Sequence, residues 1–223
     1  MSVLDLVASL ERFYGPLPAP PANPFRCFVW EAVGTKTTPV RRDTAYSALR
    51  RIPALTPDAM FRAPRAKLVA AVALAGPYQE QRISALLSGV AQFRRHPDLP
   101  SVIQGPVRDA RRAIQPLPRL ADASVARFLL FGGNHAVMPV DRDLARLAVR
   151  LGLGTGTGTL DAAAAMARVR HAIQRALPPD PAVFKRASLY LGHHAVQTCT
   201  DDPHCVVCPL NEQCPSARAV DDR

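Results

Sequence analysis

A cluster of four cysteines near the C-terminal end constrains the fold of this chain more than any other feature. Cys199, Cys205, Cys208 and Cys214 fall within sixteen residues, with gaps of five, two and five residues between them. Four thiolates this close together can surround one metal centre. The spacing leaves a structural zinc and an iron–sulfur cluster both open, whereas disulfides are disfavoured in a reducing compartment. Cys27 stands apart, and we expect it to be a small buried side chain.

The chain carries a strong excess of positive charge. Its formal net charge is +10 and its pI is about 10.1, and arginine supplies nearly all of the basic side chains. Because arginine binds phosphates in a bidentate way, this excess favours a polyanionic partner such as nucleic acid over an ordinary basic surface. The only lysines are Lys36, Lys67 and Lys185, which leaves few candidates for Schiff-base chemistry.

The sequence lacks the patterns of membrane and secretory segments. No stretch is apolar over the roughly 18 residues that a membrane-spanning helix requires. The first residues, Met1-Ser-Val-Leu-Asp-Leu, do not form a basic segment followed by an apolar run, as a secretory signal would. We therefore expect a protein of the cytoplasm with no membrane interaction.

Helical signals separated by proline and glycine breaks run along the whole sequence. Apolar residues recur at helical spacing, and no segment shows the sustained alternation of a strand. Prolines that follow Asn23 and Thr56 mark helix starts. These patterns predict an all-α fold. The expected helices lie near residues 2–13, 24–33, 40–51, 67–74, 79–94, 107–115, 122–131, 142–151, 159–176 and 181–194, with a short one after Pro57.

The cysteine cluster resembles that of a known family. The run from Tyr190-Leu-Gly-His-His through Cys214-Pro is similar to the C-terminal loop of endonuclease III and its adenine-glycosylase relatives, which are helix-hairpin-helix DNA glycosylases. Their cysteine gaps are six, two and five residues, so this chain departs by one residue. The resemblance implies a 4Fe–4S cluster, rather than zinc, held by the four cysteines of a loop over residues 199–214.

The resemblance covers nearly the whole chain and implies a two-lobed helical architecture. The central lobe would comprise residues 22–135, including a hairpin over residues 107–131. The other lobe would combine residues 1–21 with residues 136–223, which contain the cluster loop.

The family's hairpin reads Leu-Pro-Gly-hydrophobic-Gly, then one residue, then a catalytic lysine. This chain has Leu117-Pro-Arg-Leu-Ala-Asp-Ala-Ser124, so both glycines are replaced and Ala123 stands at the lysine position. The resemblance implies DNA contacts from Arg119, Leu120, Ala121, Ala123 and Ser124; the alternative is an ordinary corner between two helices. Since alanine cannot form a Schiff base, an enzyme of this kind would be monofunctional and would use water as its nucleophile.

An aspartate follows the hairpin at the family's spacing. Asp141 lies eighteen residues after Ala123, at the end of a glycine- and proline-containing loop that begins at Phe131-Gly-Gly-Asn. In the family this residue is catalytic, and a carboxylate can stabilise an oxocarbenium-like sugar. Asp141 could equally cap the helix that begins at Arg142, and the two roles are compatible.

A second acidic residue lies in the run Phe28-Val-Trp-Glu-Ala-Val-Gly-Thr-Lys-Thr37. This run resembles the pocket-lining helix end of the family, where endonuclease III has a glutamine at the position of Thr35 and adenine glycosylases have a catalytic glutamate at that of Glu31. Burial would raise the pKa of Glu31, which suits a general acid. The alternatives are a Glu31 at the solvent edge or paired with an arginine. The resemblance places Thr35, Lys36 and Thr37 beside the pocket.

Together these features predict a monofunctional DNA glycosylase that hydrolyses the N-glycosidic bond of a damaged or mismatched base flipped from double-stranded DNA. Asp141 and Glu31 are its candidate catalytic residues. We expect a monomer that acts in the cytoplasm at the nucleoid. The alternative is a catalytically inactive paralogue that binds DNA or its lesions.

Overall fold

A computed structural model describes residues 2–52, 55–118, 120–153 and 162–217. Within these ranges all regular structure is helical and no strand occurs, which confirms the all-α prediction. The α-helices are α1 (Val3–Tyr14), α2 (Pro24–Gly34), α3 (Pro39–Arg50), α4 (Pro57–Arg62), α5 (Arg65–Ala73), α6 (Gln79–Arg95), α7 (Leu99–Gln104), α8 (Val107–Ile114), α9 (Asp122–Phe131), α10 (Arg142–Arg150), α11 (Ala162–Ala176) and α12 (Pro181–Gln197). Two 3₁₀ turns, Cys205–Val207 and Asn211–Gln213, follow α12.

Helix starts follow the local capping chemistry of the sequence. The side chain of Asn23 accepts the N–H of Arg26 at the start of α2, and the side chain of Thr56 accepts the N–H of Ala59 at the start of α4. In both helices a proline occupies the first turn, where its missing N–H is not needed. Helix α7 was not predicted, because its six residues are too few to show a helical period.

The chain divides into two compact units. One unit is Pro20–His135, and the other joins Met1–Ala19 to Ala136–Arg223. In Pro20–His135, α2 is the central element, since it packs against α3, α6, α7 and α9. Phe28 of α2 is fully buried against Gly89 of α6, where an added Cβ would lie 1.9 Å from the Phe28 ring.

The second unit is built on three helix contacts. Helix α1 packs on α12, and α10 packs on both α11 and α12. The hydroxyl of Tyr190 donates to the carbonyl of Gly15 at 3.0 Å and so fastens the end of α1 to α12. Across the described residues, every helix is too short or too polar to span a bilayer.

Candidate functional site

The four C-terminal cysteines surround one cavity. After α12 the chain turns back through the two 3₁₀ turns, and Cys199, Cys205, Cys208 and Cys214 line a cavity of about 230 Å³. Among the described His, Cys, Asp and Glu side chains, no group of three or more lies close enough to hold a single metal ion. A zinc ion would draw each sulfur to within about 2.3 Å. Four cysteine thiols that line one cavity are the donor set that either a zinc ion or an iron–sulfur cluster requires.

Hydrogen-bond donors point at the cysteine sulfurs. Arg150 Nη1 lies 3.3 Å from Cys199 Sγ, and the N–H of Leu210 lies 3.4 Å from Cys208 Sγ. Such donors stabilise thiolates. Burial raises the pKa of the Cys208 thiol, and the neighbouring cysteines raise it further. A thiolate at Cys208 would therefore need a positively charged group beside it, such as a bound metal centre.

Two arginines of α10 fix the start of the cysteine loop, and sequence reasoning missed both. Arg146 donates to the carbonyls of Ala195 at 2.9 Å and of Cys199 at 3.1 Å, and Arg150 donates to the carbonyl of Asp201 at 3.1 Å. The two arginines stand four residues apart, so they share one face of the helix. The four-residue spacing of the two arginines is visible in the sequence, but it does not identify the cysteine loop as the acceptor of their hydrogen bonds.

A buried histidine also contacts a cysteine. Nε2 of His194 lies 3.5 Å from Cys208 Sγ, and Nδ1 lies 2.8 Å from the hydroxyl of Tyr14, which is 2.7 Å from Thr198 Oγ1. Burial, and to a smaller extent the charge of His193, lowers the pKa of His194 to about 4. The imidazole is therefore neutral at physiological pH.

Asp141 is the N-cap of α10. Its Oδ1 accepts the N–H of Leu144 at 3.0 Å, and the residue is half-buried. In the loop before it, Gly133 is required, because an added Cβ would lie 2.8 Å from the carbonyl oxygen of Leu129 and 2.9 Å from that of Ile103. The capping role is thus present, and the catalytic role stays a prediction.

The segment between α8 and α9 lies where the sequence predicted the hairpin. Ala121 is the exposed N-cap of α9 and, within the described residues, no side chain caps this helix start. Leu120, Ala123 and Ser124 are half-buried, and Arg119 lies outside the described residues. The uncapped start leaves backbone N–H groups available to an anion. Three exposed arginines lie on the preceding helix, α8: Arg108, Arg111 and Arg112.

Glu31 is buried on α2 and paired with an arginine. It is 2% exposed, and Nη1 of Arg127 on α9 lies 3.3 Å from each of its carboxylate oxygens. The burial agrees with the apolar neighbours in the sequence. The pairing is one of the alternatives that the sequence left open, but the sequence did not identify Arg127.

The residues after Glu31 form a loop held by a second buried arginine. Arg82, which is 1% exposed, donates from Nε to the carbonyl of Thr35 at 2.9 Å and from Nη2 to that of Lys36 at 3.0 Å. It also donates from Nη1 to the carbonyls of Gly76 and Pro77. Arg82 thus joins the loop after α2 to the turn before α6.

Side chains of the same loop contact that turn as well. The hydroxyl of Thr37 donates to the carbonyl of Ala75 at 2.6 Å, and Nζ of Lys36 lies 4.9 Å from the centre of the Tyr78 ring. Lys36 has a positive φ of 51°, which the contacts of its neighbours hold in place. The three predicted pocket residues therefore occupy one loop that these contacts tie to the turn before α6.

No protein-family model and no curated protein sequence matches this chain. Several solved structures match it. A non-covalent endonuclease III–DNA complex matches with a TM-score of 0.74 at 14% identity over 100% of both chains. A thermostable thymine-DNA glycosylase matches with a TM-score of 0.73 at 15% identity over 97% of both chains. The 3-methyladenine DNA glycosylase of H. pylori bound to 1,N6-ethenoadenine matches with a TM-score of 0.66 at 12% identity, over 88% of this chain and 98% of that one.

At these identities the likeness establishes the fold. The chain has the helix-hairpin-helix fold of endonuclease III, as the sequence predicted.

Proposed function

We propose that this protein is a monofunctional DNA glycosylase that removes a damaged or mismatched base from double-stranded DNA. The observation that carries the proposal is the likeness of the fold, over the full length of both chains, to an endonuclease III in complex with DNA. The formal net charge of +10 supports a polyanionic partner. The protein would act as a monomer in the cytoplasm, at the nucleoid.

DNA would be held at the hairpin. The exposed start of α9 directs the backbone N–H groups near Ala121, Ala123 and Ser124 towards a phosphate, and the helix dipole favours the negative charge. Leu120 precedes this helix start. Arg119, which lies outside the described residues, would supply a side-chain contact where the related hairpin has a glycine. Lys36, which is exposed, adds a second phosphate contact.

Asp141 is the proposed centre of the chemistry. A base flipped from the duplex leaves when its C1′–N bond breaks, and the carboxylate of Asp141 stabilises the positive charge that develops on the sugar. Water then bonds to C1′ and its proton passes to Asp141. Since the hydrogen bond from Leu144 occupies Oδ1, the carboxylate is held in one orientation. Ala123 offers no amine, so no covalent sugar–enzyme intermediate forms there.

Glu31 is the proposed proton donor to the departing base. A guanidinium stabilises the ionised form of a carboxylate beside it. Nη1 of Arg127 contacts both carboxylate oxygens of Glu31, so an incoming base would have to displace Arg127 to reach them. Thr35, Lys36 and Thr37, in the loop that Arg82 fixes, would border the flipped base.

The four cysteines would hold a 4Fe–4S cluster. Its iron atoms would bind the thiolates of Cys199, Cys205, Cys208 and Cys214 and would so cross-link the loop over residues 199–214. The cavity between the sulfurs and the donors from Arg150 and Leu210 support this assignment.

The proposal is tested with duplexes that each carry one lesion or mismatch, incubated with the protein and then heated in alkali. A monofunctional glycosylase leaves an abasic site, so strand cleavage requires the alkali. Asp141→Asn should abolish base release without unfolding, because asparagine caps a helix as well as aspartate. Asp143→Asn, in the first turn of the same helix and paired with Arg146, is the matched control and should retain activity.

Two outcomes would contradict the proposal. Cleavage without alkali would overturn the monofunctional assignment. Tight binding with no base release on any duplex would instead support an inactive DNA- or lesion-binding paralogue, which the Arg127–Glu31 pair and the alanine at position 123 favour.

A further inference from the structure

A chain of hydrogen bonds leads from α1 to one of the cysteines. The hydroxyl of Tyr14 lies 2.8 Å from Nδ1 of His194, and Nε2 of the same ring lies 3.5 Å from Cys208 Sγ. His194 is 1% exposed, so water does not compete for either nitrogen. Tyr14 also contacts Thr198 Oγ1 at 2.7 Å. All four residues belong to the unit that contains α1 and α12.

If Cys208 is bound to a metal, the hydrogen bonds that lead to it can have only one set of donors and acceptors. A thiolate has no proton to donate, so the contact with Cys208 requires the ring proton of His194 to be on Nε2. Nδ1 is then an acceptor and takes the hydroxyl proton of Tyr14. The oxygen of Tyr14 in turn accepts the hydroxyl proton of Thr198. Each polar atom of the chain is satisfied in this one arrangement.

We propose that Tyr14 fixes the tautomer of His194 so that its Nε2–H donates to the sulfur of Cys208, and that this bond raises the reduction potential of the iron–sulfur cluster. The inference rests on the cofactor in the proposed function. A hydrogen bond to a ligand sulfur stabilises the more negative, reduced cluster more than the oxidised one. His194 is thus a tuning residue and Tyr14 its positioning residue, as outer partners orient metal-bound groups elsewhere.

Two other groups also donate hydrogen bonds to the cysteine sulfurs. The N–H of Leu210 also reaches Cys208, and Arg150 reaches Cys199. Neither of these two hydrogen bonds involves Tyr14 or His194, so both should persist in variants of those residues. The effect of Tyr14 and His194 can therefore be measured separately.

The experiment is a redox titration of the full-length, cluster-loaded protein, followed by its visible absorbance and by electron paramagnetic resonance. His194→Leu removes the donor, and we expect the equilibrium constant for reduction to fall about tenfold, which is about 59 mV for a one-electron couple. Tyr14→Phe removes only one oxygen and should shift the potential in the same direction by less. Tyr190→Phe is the matched control, since its hydroxyl bonds the carbonyl of Gly15 and not His194, and it should leave the potential unchanged.

A second measurement reads the tautomer directly. In protein labelled with ¹⁵N-histidine, the ring shifts of His194 should indicate a proton on Nε2, and Tyr14→Phe should give a mixture of tautomers. If His194→Leu fails to hold the cluster, Tyr14→Phe decides the question. If every one of these two variants that loads the cluster keeps the wild-type potential, this inference is wrong but the cofactor assignment stands. Wild-type protein that binds no iron overturns the cofactor assignment as well as the inference.

Discussion

The guanidinium of Arg127 lies 3.3 Å from both carboxylate oxygens of Glu31, and this pair joins α9 to the most buried helix of its unit. Glu31 is 2% exposed, so its charge has almost no contact with water. A carboxylate in such surroundings is stable only when a counter-charge is close.

Removal of the arginine should therefore destabilise the protein more than removal of both charges. We expect Arg127→Met to lower the free energy of unfolding by about 3 kcal/mol, because it leaves a buried charge without its partner. Adding Glu31→Gln should recover most of that loss. Urea denaturation of the wild type and the two variants measures this, and equal losses in the single and double variants would show that the charge of Glu31 is not the cause.

Arg82 should be essential to the loop that carries Thr35, Lys36 and Thr37. Arg82→Met removes hydrogen bonds to four backbone carbonyls and should cost about 3 kcal/mol, since bonds to charged groups are the strong ones. Arg82→Lys should recover little, because an ammonium lacks the planar fork that reaches separate acceptors.

Amide hydrogen exchange separates this local effect from a global one. Exchange at Lys36 and Thr37 should accelerate more than exchange in α6 in the Arg82→Lys variant. Uniform acceleration across the unit would mean that Arg82 contributes only to overall stability.

The sequence predicted the features that depend on neighbours along the chain. Asn23-Pro24 and Thr56-Pro57 mark helix starts because capping involves residues three positions apart. The cysteine loop can be recognised because its four cysteines fall within sixteen residues of the chain. The partners of buried charges could not be predicted in this way. Glu31 and Arg127 are 96 residues apart, and only the packing of α2 on α9 brings them together.

Two glycines in helices should respond to alanine in opposite ways. At Gly89 of α6, a Cβ would lie 1.9 Å from the Phe28 ring, so Gly89→Ala should cost about 1–3 kcal/mol through overpacking. At Gly192 of α12, nothing lies within 4 Å of an added Cβ, so Gly192→Ala should gain about 0.5–1 kcal/mol from helix propensity. Thermal unfolding of both variants measures the difference, and a stabilising Gly89→Ala would contradict the packing of α2 on α6.

The iron content of two cysteine variants should distinguish a cysteine that binds iron from one that only packs in the core. Cys205 lines the cavity, so Cys205→Ala removes one of four thiolates, and we expect it to lower the iron and sulfide per chain and the visible absorbance. Cys27 is fully buried in the other unit, and Cys27→Ala should keep the wild-type iron content while losing some stability to the cavity left behind. Because the proposed cluster would cross-link the loop over residues 199–214, chelation of the iron should also speed proteolysis within that loop and leave α2 protected. Full iron retention in Cys205→Ala, or zinc in place of iron in the wild type, would exclude a cluster held by these four thiols.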